Sequence, residues 1–144
     1  MAASRVPALY SADLLALAVE LADYPYDADA PVRGYARSRS CGSVIELSSD
    51  RAAPFGPIGL KATACAVGQA SAAIFAREVD GMDAIQVGDT LQALGKWLEG
   101  DAPSSILPRL ELLEAARPHR GRHEAILLPW RAALDALSKT PVVR

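Results

Sequence analysis

Residues 59–80, GLKATACAVGQASAAIFAREVD, constrain this chain more than any other stretch. A short alternating apolar run leads to Cys65, and a segment of Ala, Gly and Ser with a few large apolar residues follows it. Alternation has the period of a strand, and the small-residue segment has helical spacing. The stretch therefore predicts a β-strand that delivers a cysteine to the first turn of a helix. A thiol there meets free backbone N–H groups and the positive end of the helix dipole, an arrangement suited to thiolate chemistry. The Ala, Gly and Ser positions of 66–73 let such a helix pack closely on a sheet. One other cysteine is present, Cys41, in the fragment SCGS. The functional question is whether the two thiols meet.

The flanking sequence predicts that they do. YARSRS (35–40) alternates, with Arg37 and Arg39 on one face, and leads into Cys41-Gly42-Ser43. VIEL (44–47) reads as a strand, SSDRAAPFGP (48–57) as a turn-rich crossing and IGLKATA (58–64) as a further strand. Runs this close make a small, mostly antiparallel three-stranded sheet. In a hairpin-joined antiparallel pair the start of one strand lies beside the end of the next, which makes Cys41 and Cys65 neighbours.

The rest of the chain reads as helix. Residues 1–8 form a loose tail. Ser11 caps a helix carrying Leu14, Leu17, Ala18 and Leu21, which ends before Tyr24-Pro25. Residues 24–34 form a connector. Asp89 or Thr90 starts a helix with Leu91, Leu94, Trp97 and Leu98, stopped by Gly100. Ser104 or Ser105 opens another, with Leu107, Leu110, Leu113 and Ala116 inward, ended by Pro118. A last helix runs from about His123 to Ser138, with Pro129 in its early turns, and residues 139–144 form a second tail. The order predicts one α+β domain over 1–144, a three-stranded sheet packed by four to five helices.

Charge and composition exclude several classes of function. Net charge is −2 with acids and bases interspersed, which gives no electrostatic case for nucleic acid or a membrane surface. No apolar run reaches the roughly 18–20 residues that span a bilayer. Asp13 and Glu20 interrupt the N-terminal apolar stretch at helical spacing, so it reads as a helix and not a signal peptide. Two cysteines without a secretion signal point to a reducing cytoplasm, where metal binding or thiol chemistry outweighs a disulfide. No Ser/His/Asp or Cys/His hydrolase pattern is present.

Both histidines fall in PHRGRHE (118–124), so His123 and Glu124, like Cys65, lie near a helix N-terminus. Cys41, Cys65, His123 and Glu124 together would suffice for a tetrahedral metal site. Blander readings stand beside this one. A cysteine in an Ala-rich segment also serves as a small buried hydrophobe. A glutamate in a first helical turn is favoured by the dipole whatever its function.

A Cys-Gly-polar strand start, a strand ending in Cys before a small-residue helix, and a His-containing turn before the last helix resemble the U-type iron–sulfur cluster assembly scaffolds: IscU, SufU and the N-terminal part of NifU. ATACAVGQASAAI resembles the family's Gly-Cys-small-small-Ser helix start, and LLPWRAALDAL its C-terminal helix. The likeness runs from about Tyr10 to about Leu137. It implies a compact α+β fold that assembles an iron–sulfur cluster, or binds a zinc ion, on three cysteines helped by an Asp and in some branches a His. Cys41 and Cys65 match the first two cysteines. Ser43 stands where the family has Asp, and the third cysteine falls at His123 or at Glu124. The resemblance implies a scaffold or carrier more than an enzyme, with a cysteine desulfurase and apo iron–sulfur recipient proteins as partners and a homodimer left open. Its alternatives are a zinc-containing sulfur acceptor and a metal-free interaction module.

Overall fold

The computed structural model describes residues 10–139. Ser11 caps α1 (Ala12–Val19) by accepting from the Leu14 N–H, and Leu14, Leu17 and Ala18 are buried from it. A 3-10 turn at Glu20–Asp23 ends that helix before Pro25. Three antiparallel strands follow in the order β1 (Val32–Arg37), β2 (Val44–Ser49) and β3 (Ile58–Thr63).

β1 begins at Val32 and not at Tyr35, inside the expected connector. Pro31 and Gly34 hide the start, because neither marks a strand by propensity. Gly34 is required there: a Cβ on it would lie 2.1 Å from the Ala132 carbonyl oxygen, so strand and helix backbones touch. β1 also ends at Arg37, which leaves Arg39 in a turn and off the strand face it was expected to share.

α2 (Ala66–Glu78) explains the composition of the opening stretch. Nine of its thirteen residues are buried, so it is enclosed and not merely laid on a sheet. It packs against α1, β3 and α4 (His123–Lys139), and small side chains let all three approach. Phe75 of α2 meets Trp130 of α4 edge-to-face, with ring centroids 4.9 Å apart.

Two predicted helices differ from the structure. α3 (Ala84–Leu98) starts before Asp89, because Asp83 and Gln86 form a reciprocal capping box. The helix predicted from Ser104 to Ala116 is instead two 3-10 turns, Ser104–Ile106 and Leu110–Ala116. Pro108 is the cause: it forces Leu107 to extended backbone (φ −140°, ψ 142°), and Arg109 then takes a left-handed conformation (φ 66°). Leu107, Leu110, Leu113 and Ala116 are nonetheless all buried. Their spacing reported burial and not helix. Among the described residues no helix is long and apolar enough to cross a membrane.

Candidate cysteine site

β2 and β3 pair with Val44 opposite Thr63, and both cysteines lie just beyond that end of the sheet. Cys41 sits in the turn from β1 to β2, and Cys65 is the N-cap residue of α2. The two line one open pocket of about 290 Å³, together with Ser43, Thr63 and Arg122. The neighbourhood predicted from strand order is therefore present.

Each cysteine is held by its own device. Gly68 in the first turns of α2 has room for no side chain: an added Cβ would lie 2.9 Å from the Ala64 Cβ and 3.4 Å from that of Ala125. Ser71 donates to the Ile126 carbonyl (2.7 Å), tying the same helix to α4. These contacts fix the start of α2, and with it Cys65, against the start of α4. Cys41 depends on a turn. The Ser38 N–H donates to the Ser43 carbonyl (2.8 Å) and closes it, with Gly42 at φ 73°.

The buried Ser38 hydroxyl organises that turn. Its oxygen accepts from the N–H groups of Ser40 and Cys41, each at 3.2 Å, and from the Cys41 thiol at 3.1 Å. Its one proton goes to Glu124 Oε1 (2.8 Å). Glu124 Oε1 also receives the Arg39 N–H (3.0 Å), the Ser40 N–H (3.2 Å) and the Ser40 hydroxyl (3.0 Å). Oε2 pairs with Arg131 (3.2 Å).

Electrostatics follow from this wiring. The Ser38 hydroxyl first, then the Ser40 and Arg39 donors, hold the Glu124 carboxyl at about 2 against the opposing effect of partial burial. Partial burial pushes the Cys41 thiol up, but its hydrogen-bond contacts with the Ser38 and Ser43 hydroxyls and the Ser43 backbone outweigh burial and the Glu124 charge together, so Cys41 lies below the ordinary thiol value. With the Ser38 proton committed to Glu124, the Ser43 hydroxyl, 3.0 Å from Cys41 Sγ, is the hydroxyl free to donate to a thiolate.

The lowered Glu124 carboxyl makes stability pH-dependent. A carboxylate depressed in the folded state stabilises it above the ordinary carboxylate range, and that contribution is lost as pH falls toward about 2. Urea unfolding of the native chain should lose about 1 kcal/mol more than that of Glu124→Gln between pH about 5 and about 2, after allowance for solvent screening. Parallel acid profiles would remove the carboxylate from this role.

The expected set of Cys41, Cys65, His123 and Glu124 is thus not gathered at one point. Glu124 is turned into the Ser38–Ser40 turn, and His123 Nε2 lies 2.6 Å from the Arg117 carbonyl oxygen. Among the described residues no three of the His, Cys, Asp and Glu side chains converge to hold a metal ion. The two cysteines line one pocket without the closed four-donor set that structural zinc takes. The pocket instead holds Arg122, whose Nη2 lies 3.4 Å from the Tyr10 hydroxyl. Ser38 is the site residue that the sequence reading missed. The hydroxyl-rich run Ser38-Arg39-Ser40-Cys41-Gly42-Ser43 carried the signal, because Ser and Gly at this density mark a turn.

No protein-family model and no curated protein matches the sequence. Solved structures do. The N-terminal part of a nitrogen-fixing NifU-like protein from Brucella abortus superposes with a TM-score of 0.77 at 25% identity, over 90% of this chain and 92% of that one. A protein described as an iron–sulfur cluster assembly scaffold for the SUF system, from Fervidobacterium islandicum, superposes with a TM-score of 0.77 at 17% identity, over 90% of this chain and 96% of that one. The three-stranded antiparallel sheet and its packed helices are common to this chain and these neighbours.

Proposed function

We propose that this chain, which has the fold of the U-type iron–sulfur scaffolds, works as such a scaffold, with Cys41 and Cys65 as its cargo-binding groups. One observation carries the reading: the chain's two cysteines, remote in sequence, line a single open pocket at the end of the sheet. The cargo is iron and sulfide: sulfur arrives as persulfide from a cysteine desulfurase, is reduced to sulfide by an external two-electron donor, and leaves with the iron for apo iron–sulfur recipient proteins. Thiolates are the usual ligands of such clusters. Cys41 lies on a solvent-facing turn, where cargo can arrive and leave. Cys65 is fixed by the packed start of α2 and provides the rigid side. Glu124 and Ser38 act by shaping the turn, and His123 by anchoring the start of α4.

A second reading, sulfur acceptor for the desulfurase, is favoured by the exposure of Cys41 and its lowered thiol value. In that step the Cys41 thiolate attacks the outer sulfur of the donor's persulfide. A new S–S bond forms on Cys41, and the donor cysteine leaves as thiolate.

Anaerobic reconstitution with ferrous iron and sulfide tests the first reading. The native chain should develop thiolate-to-iron charge-transfer absorption and pass its iron to an apo-ferredoxin, and Cys41→Ser should lose at least tenfold of both. A persulfide on Cys41 without iron uptake would replace the scaffold with the sulfur acceptor.

A further inference from the structure

Resting on the scaffold reading, we propose that a small thiol bearing a carboxylate completes the cargo site from outside, with its sulfur on iron and its carboxylate on Arg122. A two-iron cluster is commonly held by four thiolates. The sequence contains two cysteines, and both already line the pocket. His123 is engaged by the Arg117 carbonyl, and Glu124 by the Ser38–Ser40 turn. The remaining positions on iron are left to donors that this chain does not contain.

The pocket wall selects the kind of donor. Beside the two cysteines stand Ser43, Thr63 and Arg122, and no carboxylate. Among the described residues Arg122 forms no ion pair, and its one side-chain hydrogen bond runs to the neutral Tyr10 hydroxyl at 3.4 Å. The residue is half-buried, and its own N–H bonds the His119 carbonyl (2.8 Å), which fixes it in the pocket wall. A guanidinium without a carboxylate of its own suits one that a ligand brings, through two parallel N–H···O bonds. The pocket, about 290 Å³ and open to solvent, has room for a thiol of a few carbon atoms.

Charge and chemistry agree with that ligand. Four thiolates carry more negative charge than a two-iron core neutralises, and Arg122 is the one cationic side chain that lines the pocket. Ligation needs no redox partner. The thiol releases its proton to water, its sulfur lone pair forms the bond to iron, a bound water leaves, and no atom changes oxidation state. Donors that are not tethered to the chain can also be replaced one at a time by recipient cysteines. Cys41 and Cys65 then hold the cargo until the last exchange.

The test loads the chain anaerobically with ferrous iron and sulfide under a phosphine reductant, adds either 3-mercaptopropionate or 2-mercaptoethanol, and follows iron loss to a chelator. The first thiol carries a carboxylate and the second a hydroxyl. Saturating 3-mercaptopropionate should slow iron loss by about tenfold or more, and reach half its effect at about a tenfold lower concentration than 2-mercaptoethanol. Rapid gel filtration should recover 3-mercaptopropionate with the cluster, on a single chain. Arg122→Gln should bring the two concentrations together at the native 2-mercaptoethanol value, which also shows its fold and thiols intact. Equal concentrations in the native chain overturn the carboxylate contact, as does a preference that survives in Arg122→Gln or a variant that responds to neither thiol. Iron loss that neither thiol slows, or a cluster held without thiol at twice the chain mass, overturns the proposal and leaves the scaffold reading intact. Failure to take up iron with or without thiol overturns the proposal and the scaffold reading together.

Discussion

Replacing Gly34 with valine is expected to destabilise the protein by more than about 3 kcal/mol. A Cβ at Gly34 would meet the Ala132 carbonyl oxygen at 2.1 Å, and also the Ala136 Cβ at 2.9 Å and its backbone N at 3.0 Å. Two of these atoms are helix backbone, which cannot swing aside as a long side chain does. β1 and α4 must separate, and α4 is also packed on β2, α2 and α3. The pairing of β1 with β2 and the Tyr35 N–H bond to Asp135 (2.8 Å) loosen with them. Thermal unfolding should fall by on the order of 10 °C, and Gly34→Ala should already show part of the loss. A native melting curve for Gly34→Val would mean that strand and helix do not touch as described.

Glu124→Ala is the second large effect, expected at about 2–3 kcal/mol. The substitution deletes the acceptor of four hydrogen bonds and the partner of Arg131. The Ser38 hydroxyl is buried and cannot recover the loss from bulk water, so its desolvation cost stands. The effect is local in origin. It should appear as faster amide exchange at Arg39, Ser40 and Cys41 before global unfolding. Glu124→Gln keeps an acceptor oxygen and should recover about half of the stability. Equal losses for Ala and Gln would mean that charge, and not acceptor geometry, carries the contribution.

Much of this was readable from residues alone, for identifiable reasons. Ser11 is followed at once by an apolar stripe, so cap and helix coincide in sequence. The strand order that places Cys41 beside Cys65 follows from short links, which leave a small sheet few pairings. Gly34 and Pro108 were harder. A glycine inside a strand is explained only by the helix backbone that approaches it from Ala132, about a hundred residues away. Leu107, Leu110 and Leu113 have helical spacing, yet Pro108 removes the N–H that a continuous helix needs and the turns are 3-10.

The site divides in the same way. Cys41 and Cys65 are near in topology, so their place at one end of the sheet, lining one pocket, could be derived. His123 and Glu124 sit at the start of α4, close enough in sequence terms to join them. Whether a carboxylate points to a thiol or into a turn depends on donors elsewhere, and Ser38, Arg39 and Ser40 supply enough of them to capture Glu124. Of the two arginines that PHRGRHE places beside the site, Arg122 lines the pocket, and nothing in that run distinguishes one from the other.

The identity of the cargo-binding groups is tested most directly by iron analysis of the native chain, Cys65→Ser and His123→Gln after anaerobic loading with ferrous iron and sulfide. Gln at 123 keeps a donor for the Arg117 carbonyl, so the start of α4 is preserved. Native and His123→Gln chains should bind equal iron, and Cys65→Ser less than a tenth of it. Full iron in Cys65→Ser, or its loss from a folded His123→Gln chain, would contradict a site built on the two thiols.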